Sequence, residues 1–499
     1  MPSLIMSSVF GIHVGNTSAC LALAKDGKIE VIANDSGDRV TPAVVTFSES
    51  ETVVGLAAKT TLSRNLSSSV IHNKQFLNAS LSDEEFKDKD SCVRYEIKRG
   101  DKTCYVSPED VAISIFKKLY GIASSAVRAE NDLRAVLCVP LHFSQASRQV
   151  VMRAAEEAGF DVLQVMSEPS AAVLASGVGL LDPEQESMCL VYRVGGTSLD
   201  VSVVQVNSGM YTALGTLHKP RLGGDNFTKL LADYLAAEFM HKWKLDPHDS
   251  RRSMTKLMSA AETCKHVLST MSTAHCFVES LCEGVDFSYN ITRARFDNLI
   301  AASIQEYIHP VRRVLEKAAV ETGVINKLIL CGGSMKIPKL QQMLGDLFPV
   351  ATKLCGFAPD EVIALGAAKH GTYLSCSFDP DCEHLSMEVP AVSKPVYVKV
   401  ADGEELKCVI PALTPVPVRR IHTHEVQPTE SEVTVELLEK ECRDSEAGRF
   451  LTKVTLANVK GATQVVVEVS INSMGGLHLV VTEPKSQVKA SAKLEAPGA

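Results

Sequence analysis

Residues 12–18 read Ile-His-Val-Gly-Asn-Thr-Ser, and residues 192–198 read Tyr-Arg-Val-Gly-Gly-Thr-Ser. The second copy lies 180 residues after the first, since 197 − 17 = 180. Each copy follows an apolar strand start and continues into a second alternating strand that ends at a turn signal. The repeat predicts two related lobes, each opening with a glycine-bearing hairpin, and a ligand held in the cleft between them.

The region around the repeat alternates between strand and helix patterns as far as residue 377. Short apolar runs that end in Gly or Pro predict strands at residues 135–139 and Lys327–Cys331. Helical periodicity covers residues 111–120, 148–158, 227–239 and 308–320. The alternation predicts an α/β domain with mixed sheets over residues 1–377.

The composition changes after residue 377. Residues 378–395 hold three prolines among several acids and are interpreted as a linker. Residues 396–484 are predicted to form a small all-β domain of the sandwich type. The prediction rests on β-type runs at residues 396–400, 433–437, 454–456 and 465–471, and on turn signals at Asp402-Gly403 and Gly475-Gly476. We expect residues 485–499 to form a flexible tail, and no amphipathic helical segment follows the β domain to serve as a lid.

Length and charge limit the classes of function. The chain has 499 residues, with 51 Lys and Arg against 59 Asp and Glu, so its formal net charge is −8. This balance gives no support for a general nucleic-acid binder, although a local basic patch remains open. No apolar run approaches the ~18 residues of a membrane helix, and the start lacks a signal peptide's basic region. We therefore expect a soluble cytosolic protein.

The 14 cysteines are scattered through apolar segments, and no CxxC pair occurs. This pattern favours reduced thiols over a disulfide framework. No His/Cys cluster has zinc spacing, so we assign no metal-binding residues.

The two hairpins are candidates for phosphate binding. A tight turn with Gly and Ser or Thr presents backbone N–H groups and hydroxyls in one direction, which suits phosphate oxygens. One such turn is more often structural, but two opposed turns could grip a polyphosphate from both sides. The candidate residues are Gly15, Asn16, Thr17 and Ser18 in the first hairpin, and Gly195, Gly196, Thr197 and Ser198 in the second.

Two further glycine pairs precede predicted helices. They stand in Gly223-Gly224-Asp225 and in Gly332-Gly333-Ser334. Backbone N–H groups at a helix N-terminus favour anions. The alternative is two ordinary turns.

One predicted helix carries four polar side chains on a single face. Glu262, Lys265, His266 and Ser269 stand at positions i, i+3, i+4 and i+7. Taken alone, such a face is most often solvated. Next to a cleft it could hold ribose hydroxyls and stack on a base.

These elements occur in the order found in the DnaK class of chaperones, the seventy-kilodalton heat-shock proteins. The resemblance covers nearly all of residues 9–375 and continues more weakly through residues 412–417 and 469–482. The stretches most similar to the family's motifs are residues 33–45, 168–172, 291–296 and 330–338. Residues 55–59 and 261–270 resemble a divergent branch, similar to the chaperone partner in the ribosome-associated complex, which pairs with a zuotin-type J-protein.

The resemblance implies a duplicated, actin-like two-lobe domain with ATP between the lobes, followed by a truncated β-sandwich of the substrate-binding type. The hairpins would face the phosphates, Lys74 matches a lysine that reaches the terminal phosphate, and Glu168 matches an acid near the metal and water. Glu262, Lys265 and Ser269 would hold the nucleoside. His266 and Lys336 stand where the family usually has arginines, and Asp360 matches an acid near the nucleoside.

The chain departs from the family pattern at equivalent places in the two lobes. His13 and Arg193 each precede the hairpin glycine by two residues, where the family has aspartates that support the magnesium shell. Asp200 and Asp225 remain as nearby acids. Because histidine supplies no anion and arginine repels a cation, we expect ATP binding with reduced magnesium dependence and weak or absent hydrolysis. The alternative is that His13 and Arg193 pair with Asp200 or Asp225 and the cleft binds no nucleotide.

The function that this resemblance implies is an ATP-binding, chaperone-like subunit. It would be the partner of a J-protein in a ribosome-associated complex and assist nascent polypeptides. No catalytic residue is assigned, with Lys74 and Glu168 as candidates. One alternative is a fully active ATP-hydrolysing chaperone with its own client cycle. A small-molecule kinase of the actin-like fold is a second alternative, although residues 33–45 and the β domain match chaperones.

Overall fold

The computed structural model divides into two compact units, Met1–Leu385 and Ser386–Ala499. It describes residues 8–25, 27–49, 51–77, 94–99, 102–127, 133–180, 186–207, 209–376, 390–400, 406–426, 432–440, 448–457, 464–472, 475–484 and 486–495. Most of the expected linker, residues 378–395, and the turn signal Asp402-Gly403 lie outside the described residues. No helix in the described ranges is long and apolar enough to cross a membrane.

The first lobe of the larger unit is built on a six-stranded sheet. The sheet order is β11-β10-β1-β2-β3, with β4 paired to β2. In chain order the elements of this lobe are β1 Val9–Val14, β2 Ser18–Lys25, β3 Lys28–Val31, β4 Val40–Pro42, β5 Val45–Phe47, β6 Thr52–Val54, α1 Leu56–Thr61, β7 Ser69–Val70, β8 Tyr95–Arg99, β9 Lys102–Val106, α2 Pro108–Val127, β10 Arg134–Val139, α3 Gln145–Glu157, β11 Asp161–Ser167 and α4 Glu168–Ala175. A short 3-10 helix, Asn73–Leu77, carries Lys74.

The second lobe repeats the arrangement with a five-stranded sheet in the order β14-β13-β12-β17-β18. A separate hairpin, β15–β16, extends this lobe. The elements are β12 Ser187–Val194, β13 Ser198–Asn207, β14 Met210–Pro220, α5 Gly224–Trp243, α6 Arg251–Thr270, β15 Thr273–Cys282, β16 Val285–Thr292, α7 Arg293–Ala301, α8 Ile304–Ala318, β17 Lys327–Cys331, α9 Pro338–Leu347 and β18 Thr352–Leu354. The last helix of the unit, α10 Val362–Cys376, returns to the first lobe and packs on β1, β2, β10 and α4.

The duplication predicted from the sequence is visible in the strand pairing. β1 pairs antiparallel with β2 and parallel with β10, and β12 pairs antiparallel with β13 and parallel with β17. The strands are buried almost throughout because helices cover both faces of each sheet. One apolar cluster contains residues of both sheets together with α4 and α10, so the two lobes share part of their core.

The strands and helices predicted from apolar runs and periodicity are present, and most are longer than predicted. The strand at Lys327–Cys331 has the predicted bounds. Each of the four helical patterns marks the central part of a longer or shifted helix, namely α2, α3, α5 and α8. Periodicity locates the buried face of a helix, whereas caps and tertiary contacts determine its ends.

The smaller unit contains two four-stranded antiparallel sheets. Their orders are β20-β19-β22-β23 and β21-β24-β25-β26. The strands are β19 Val396–Val400, β20 Lys407–Ile410, β21 Val418–Glu425, β22 Glu432–Lys440, β23 Gly448–Ala457, β24 Gln464–Ile471, β25 Leu477–Thr482 and β26 Lys489–Leu494. Alternate side chains from both sheets form one apolar cluster, as expected for a β-sandwich.

One expectation about the smaller unit is wrong. Residues 485–499 are not a flexible tail throughout, because Lys489–Leu494 form β26 and pair with β25 from Leu477↔Leu494 to Thr482↔Lys489. Small and polar residues concealed the strand, since its side chains alternate between half-buried and exposed and none is fully buried. Its alternate residues Ala490, Ala492 and Leu494 pack against the apolar cluster of the sandwich, and its backbone pairs with β25.

Candidate functional site

The two glycine hairpins close in the same way and touch each other. Gly15 N–H donates to the Ser18 carbonyl at 2.8 Å, and Gly195 N–H donates to the Ser198 carbonyl at 2.9 Å. Across the lobes, Asn16 Nδ2 donates to Thr197 Oγ1 at 2.8 Å. The tips therefore meet in a reciprocal way, because Asn16 contacts Thr197 and their equivalents in the repeat, Gly196 and Thr17, also lie side by side.

Glycine at position 196 permits this contact. A Cβ atom there would lie 2.2 Å from Cγ2 of Thr17, far inside van der Waals distance. On the opposite side, Asn16 Oδ1 accepts a hydrogen bond from Gln75 N–H at 2.9 Å, which fixes the first hairpin to the 3-10 helix that carries Lys74. Hydroxyls, glycine turns and a lysine thus converge at one place, a combination that suits phosphate groups.

A buried group of charged side chains lies beside the hairpins. Glu168, at the start of α4, is 2.5 Å from Lys74 Nζ through Oε1 and 3.0 Å from Arg193 Nε through Oε2. Arg193 Nη1 donates to Asp200 Oδ2 at 2.6 Å. We call Lys74, Glu168, Arg193 and Asp200 the buried charge group. It contains two cations and two carboxylates, so its formal charge is zero.

His13 joins this group without adding charge. Its Nε2 lies 3.2 Å from Oε1 of Glu168. Burial lowers the pKa of His13 to about 4, even though Glu168 acts in the opposite direction. His13 is therefore a neutral imidazole near pH 7. The alternative drawn from the sequence paired His13 and Arg193 with Asp200 or Asp225. Arg193 does pair with Asp200, whereas His13 contacts Glu168 instead.

Both carboxylates of the group stay ionised. Burial alone would raise the pKa of Glu168, but Arg193 and Lys74 outweigh it and hold that pKa well below the ordinary value. Burial likewise opposes ionisation of Asp200, and the hydrogen bond to His218 together with Arg193 lowers its pKa. Desolvation lowers the pKa of Lys74 despite the nearby Glu168.

These residues do not fit a magnesium shell. Magnesium is held by one or two carboxylates together with phosphates and waters. Here both oxygens of Glu168 and both oxygens of Asp200 already contact protein cations or histidines. At positions 13 and 193, where the family resemblance implies aspartates, the chain has an imidazole and a guanidinium.

The glycine pair before α5 serves the second hairpin. Gly224 N–H donates to the Gly195 carbonyl at 2.9 Å, and Asp225 N–H donates to the Gly196 carbonyl at 2.8 Å. Two N–H groups expected to face an anion therefore hold the hairpin in place. The first turn of α5 and the hairpin are thus joined by two backbone hydrogen bonds.

The second glycine pair contacts the same hairpin. Gly332 has a φ of +86°, and a Cβ atom there would lie 2.2 Å from the Val194 carbonyl oxygen. Ser334 Oγ donates to the Gly195 carbonyl at 2.9 Å. Gly333 begins the short 3-10 turn Gly333–Lys336 that carries Ser334. This pair thus supports the second hairpin from β17.

The polar face of α6 divides into an inner and an outer part. Lys265 is buried, and its Nζ donates to the Gly224 carbonyl at 3.0 Å and to Thr228 Oγ1 at 2.6 Å. Ser269 Oγ donates to the Lys265 carbonyl. Glu262 and His266 remain accessible, with 28% and 66% of their side chains exposed. His266 is therefore the most accessible side chain of this face, and Glu262 is partly exposed beside it.

Ion pairs also connect elements around the cleft. Lys59 on α1 lies 3.0 Å from Glu262 on α6, and His72 lies 3.1 Å from Asp225. Lys336 Nζ contacts Asp360 Oδ2 at 2.6 Å. The first two pairs join the lobes, whereas the third lies within the second lobe.

Sequence reasoning missed two histidines. His218 Nδ1 lies 2.7 Å from Asp200 Oδ1, and His142 stacks on His218 with ring centroids 3.9 Å apart. No motif signals them, because His142, Asp200 and His218 are far apart in the chain. The antiparallel register of β13 and β14, which sets Asp200 opposite His218, was the one available clue.

Comparison with known proteins identifies the relatives of this chain. A family model described as Hsp70 protein matches residues 9–498. The chain is similar to heat shock 70 kDa protein 14 of Bos taurus and of Homo sapiens, each 40% identical over 96% of this chain and 97% of the relative. The Danio rerio protein of that name is 39% identical, with 99% of both chains covered.

Proposed function

Because this chain belongs to the Hsp70 family, whose members bind nucleotide, we propose that ATP binds between its two lobes and is hydrolysed slowly or not at all. In this role the protein is a chaperone-like subunit that acts with a partner. The neutral buried charge group is the observation that carries the proposal.

The charge of this group differs from what the family pattern implies. Aspartates at positions 13 and 193 would give four carboxylates against Lys74, a formal charge of −3 that favours a divalent cation. His13 and Arg193 bring the charge to zero, and the remaining carboxylates are satisfied by protein groups. Phosphoryl transfer depends on a metal and its shell to neutralise developing charge. Loss of one such contact typically slows the chemical step by roughly a hundredfold to a thousandfold.

Affinity for ATP does not require the same residues. The hairpins with Asn16, Thr17 and Thr197 offer backbone and hydroxyl groups to phosphates, and Glu262 with His266 is accessible to a nucleoside. Interactions made equally with substrate and transition state increase binding without increasing rate. The free energy of ATP binding would drive a nucleotide-dependent change in the arrangement of the two lobes.

Calorimetry with ATP, in the presence of magnesium and in its absence, tests the proposal. We expect binding in both conditions, with affinities that differ by less than about threefold. The double variant His13→Asp with Arg193→Asp should bind ATP in a magnesium-dependent way and gain measurable hydrolysis. His275→Asp, an exposed histidine on β15, is the control for adding a carboxylate elsewhere.

Two results would contradict this part of the proposal. One is wild-type hydrolysis at rates ordinary for the family. The other is no detectable ATP binding by a folded protein, which would favour the alternative that the charge group merely fills the cleft. The active-chaperone alternative predicts the first result. The kinase alternative has no support in the family match.

We further propose that the protein is the non-J subunit of a ribosome-associated complex, with a zuotin-type J-protein as its partner. The support is the similarity of residues 55–59 and 261–270 to that branch and the nature of the smaller unit. Its described residues contain strands and connecting turns but no helix, with β20, β23, β21 and β26 at the sheet edges. Edge strands accept an added strand from a partner.

Co-purification tests the partner. Tagged full-length protein should recover a J-protein and ribosomes from cytosol, and a chain without residues 378–499 should recover neither. The matched control is His478→Lys, which places a charge on the inner strand β25, outside the apolar cluster and away from the sheet edges. Equal recovery of the J-protein by the truncated chain would exclude the smaller unit as the docking site.

A further inference from the structure

Two histidine nitrogens converge on one carboxylate oxygen beside the buried charge group. Nδ1 of His218 is 2.7 Å from Oδ1 of Asp200, and Nδ1 of His142 is 3.8 Å from the same oxygen. One ligand atom from each of the three residues lies within 4.8 Å of the other two. The second distance is too long for a hydrogen bond, so His142 is near the carboxylate without being bonded to it.

The three residues come from both lobes. Asp200 on β13 and His218 on β14 are direct cross-strand partners in the second lobe. His142 lies in the turn between β10 and α3 in the first lobe, and its ring stacks on His218 with an interplanar angle of 28°. The strand register preorganises two ligands, and the stacking holds the third against them.

We propose that His142, Asp200 and His218 bind a divalent transition-metal ion of the Zn²⁺ class, which joins the two lobes. Imidazole nitrogen with one carboxylate suits zinc and its neighbours, whereas magnesium prefers oxygen ligands. Three protein ligands and one open position form a familiar zinc geometry.

The distances require only small adjustments. Ligands about 2.0–2.2 Å from a tetrahedral zinc ion lie about 3.3 Å from one another. The two observed nitrogen–oxygen distances, 2.7 and 3.8 Å, stand on either side of that value. Rotation of the two rings brings both nitrogens into range, and the ion replaces the proton between His218 and Asp200.

Arg193 both supports and weakens the site. It holds Oδ2 of Asp200 at 2.6 Å, which orients Oδ1 toward the histidines as outer partners of metal ligands commonly do. Because the buried charge group is already neutral, the ion adds uncompensated positive charge. We therefore expect micromolar rather than tighter affinity, with water or an anion in the fourth position. Exposure of 27% and 29% for the His142 and His218 side chains leaves a path for the ion.

The inference is independent of the proposed nucleotide function, because the ion alone is the ligand. The test uses full-length protein stripped with a chelator, with the exposed thiols of Cys355 and Cys408 replaced by serine. Zn²⁺ is titrated by calorimetry without nucleotide, and Co²⁺ binding is followed by its visible absorption. We expect one ion per chain, and at least about tenfold weaker binding in His142→Phe and in His218→Ala.

The variants separate this site from others. His142→Phe keeps an aromatic ring against His218, so loss of binding there reflects the lost nitrogen rather than lost packing. His248→Ala removes a histidine that lies 2.7 Å from Asp246 and 3.4 Å from Asp233, and it should bind zinc as the parent does. Unchanged affinity in His142→Phe, or no ion bound at 100 μM Zn²⁺ by folded parent protein, would overturn the proposal.

Discussion

Arg193 is the single residue on which the balance of the buried charges depends. It contacts Glu168 at 3.0 Å and Asp200 at 2.6 Å, and its side chain is 9% exposed. Removing one partner of a buried ion pair leaves an uncompensated charge, which typically costs about 3–5 kcal/mol. The resemblance to the family identified Arg193 from the sequence as a departure, but not as the bridge between two carboxylates.

Substitution of Arg193 by methionine should therefore lower the free energy of unfolding by about 3–5 kcal/mol. Urea unfolding can be followed through Trp243, the one tryptophan of the chain, which ends α5 in the same unit. Arg153→Met is the control, because Arg153 forms an exposed ion pair with Glu109 and should contribute about 1 kcal/mol or less. If Arg193→Met lowers the free energy of unfolding by less than about 1 kcal/mol, the buried charge group does not stabilise the fold as a unit.

His13 gives the stability of the fold a defined dependence on pH. Its pKa is about 4 in the folded protein and 6.5 ordinarily, so the folded state binds this proton less readily than the unfolded chain. The stabilisation is complete above pH 6.5 and is lost as the pH falls toward 4, by about 1.4 kcal/mol per pH unit.

Between pH 6.5 and pH 5, wild-type protein should lose about 2 kcal/mol more stability than His13→Gln. His142, whose pKa burial also lowers to about 4, titrates in both proteins and cancels in the comparison. Urea unfolding at four pH values in this range measures the difference. If the unfolding free energies of the two proteins change in parallel with pH, His13 is not buried as a neutral group.

At the scale of elements, the hairpins are the part of the site that the sequence predicts best. A turn of two residues between alternating strands is a local property, so both the strands and the turn follow from residues 12–18 and 192–198. The position of Lys265 on α6 does not predict that its ammonium group hydrogen-bonds inside the protein. It depends on Gly224 and Thr228 on a different helix, α5, and thus on the packing of α5 against α6.

The contact between the hairpin tips leads to a prediction with a matched control. Gly196→Ala would place a methyl group 2.2 Å from Thr17, whereas a Cβ at Gly323, outside the candidate site, meets nothing within 4 Å. The first variant must separate the tips, so we expect it to weaken ATP binding by about tenfold or more, which corresponds to at least about 1.4 kcal/mol. The control Gly323→Ala should bind ATP within about threefold of wild type. Equal ATP affinities of the two variants would show that nucleotide binding does not depend on contact between the tips.

At the scale of the whole molecule, the chain contains two units with separate cores. The apolar clusters of the larger unit involve residues from Val9 to Ala368, and the cluster of the smaller unit lies between Val396 and Val481. The change in composition after residue 377 anticipates this division. It did not anticipate β26, because the inward face of this strand consists of two alanines and one leucine, which give only a weak apolar pattern in the sequence.

Separate cores predict that the larger unit folds alone. A fragment of residues 1–385 keeps all three of its clusters, so its urea midpoint, followed through Trp243, should agree with that of the full chain. Its affinity for ATP should also stay within about twofold, since every residue assigned to nucleotide binding lies before residue 361. Loss of cooperative unfolding in the fragment would show that Ser386–Ala499 contributes to the stability of the lobes. If the fragment keeps its stability but loses more than tenfold in ATP affinity, the nucleotide site depends on the smaller unit. That result would indicate communication between the two units.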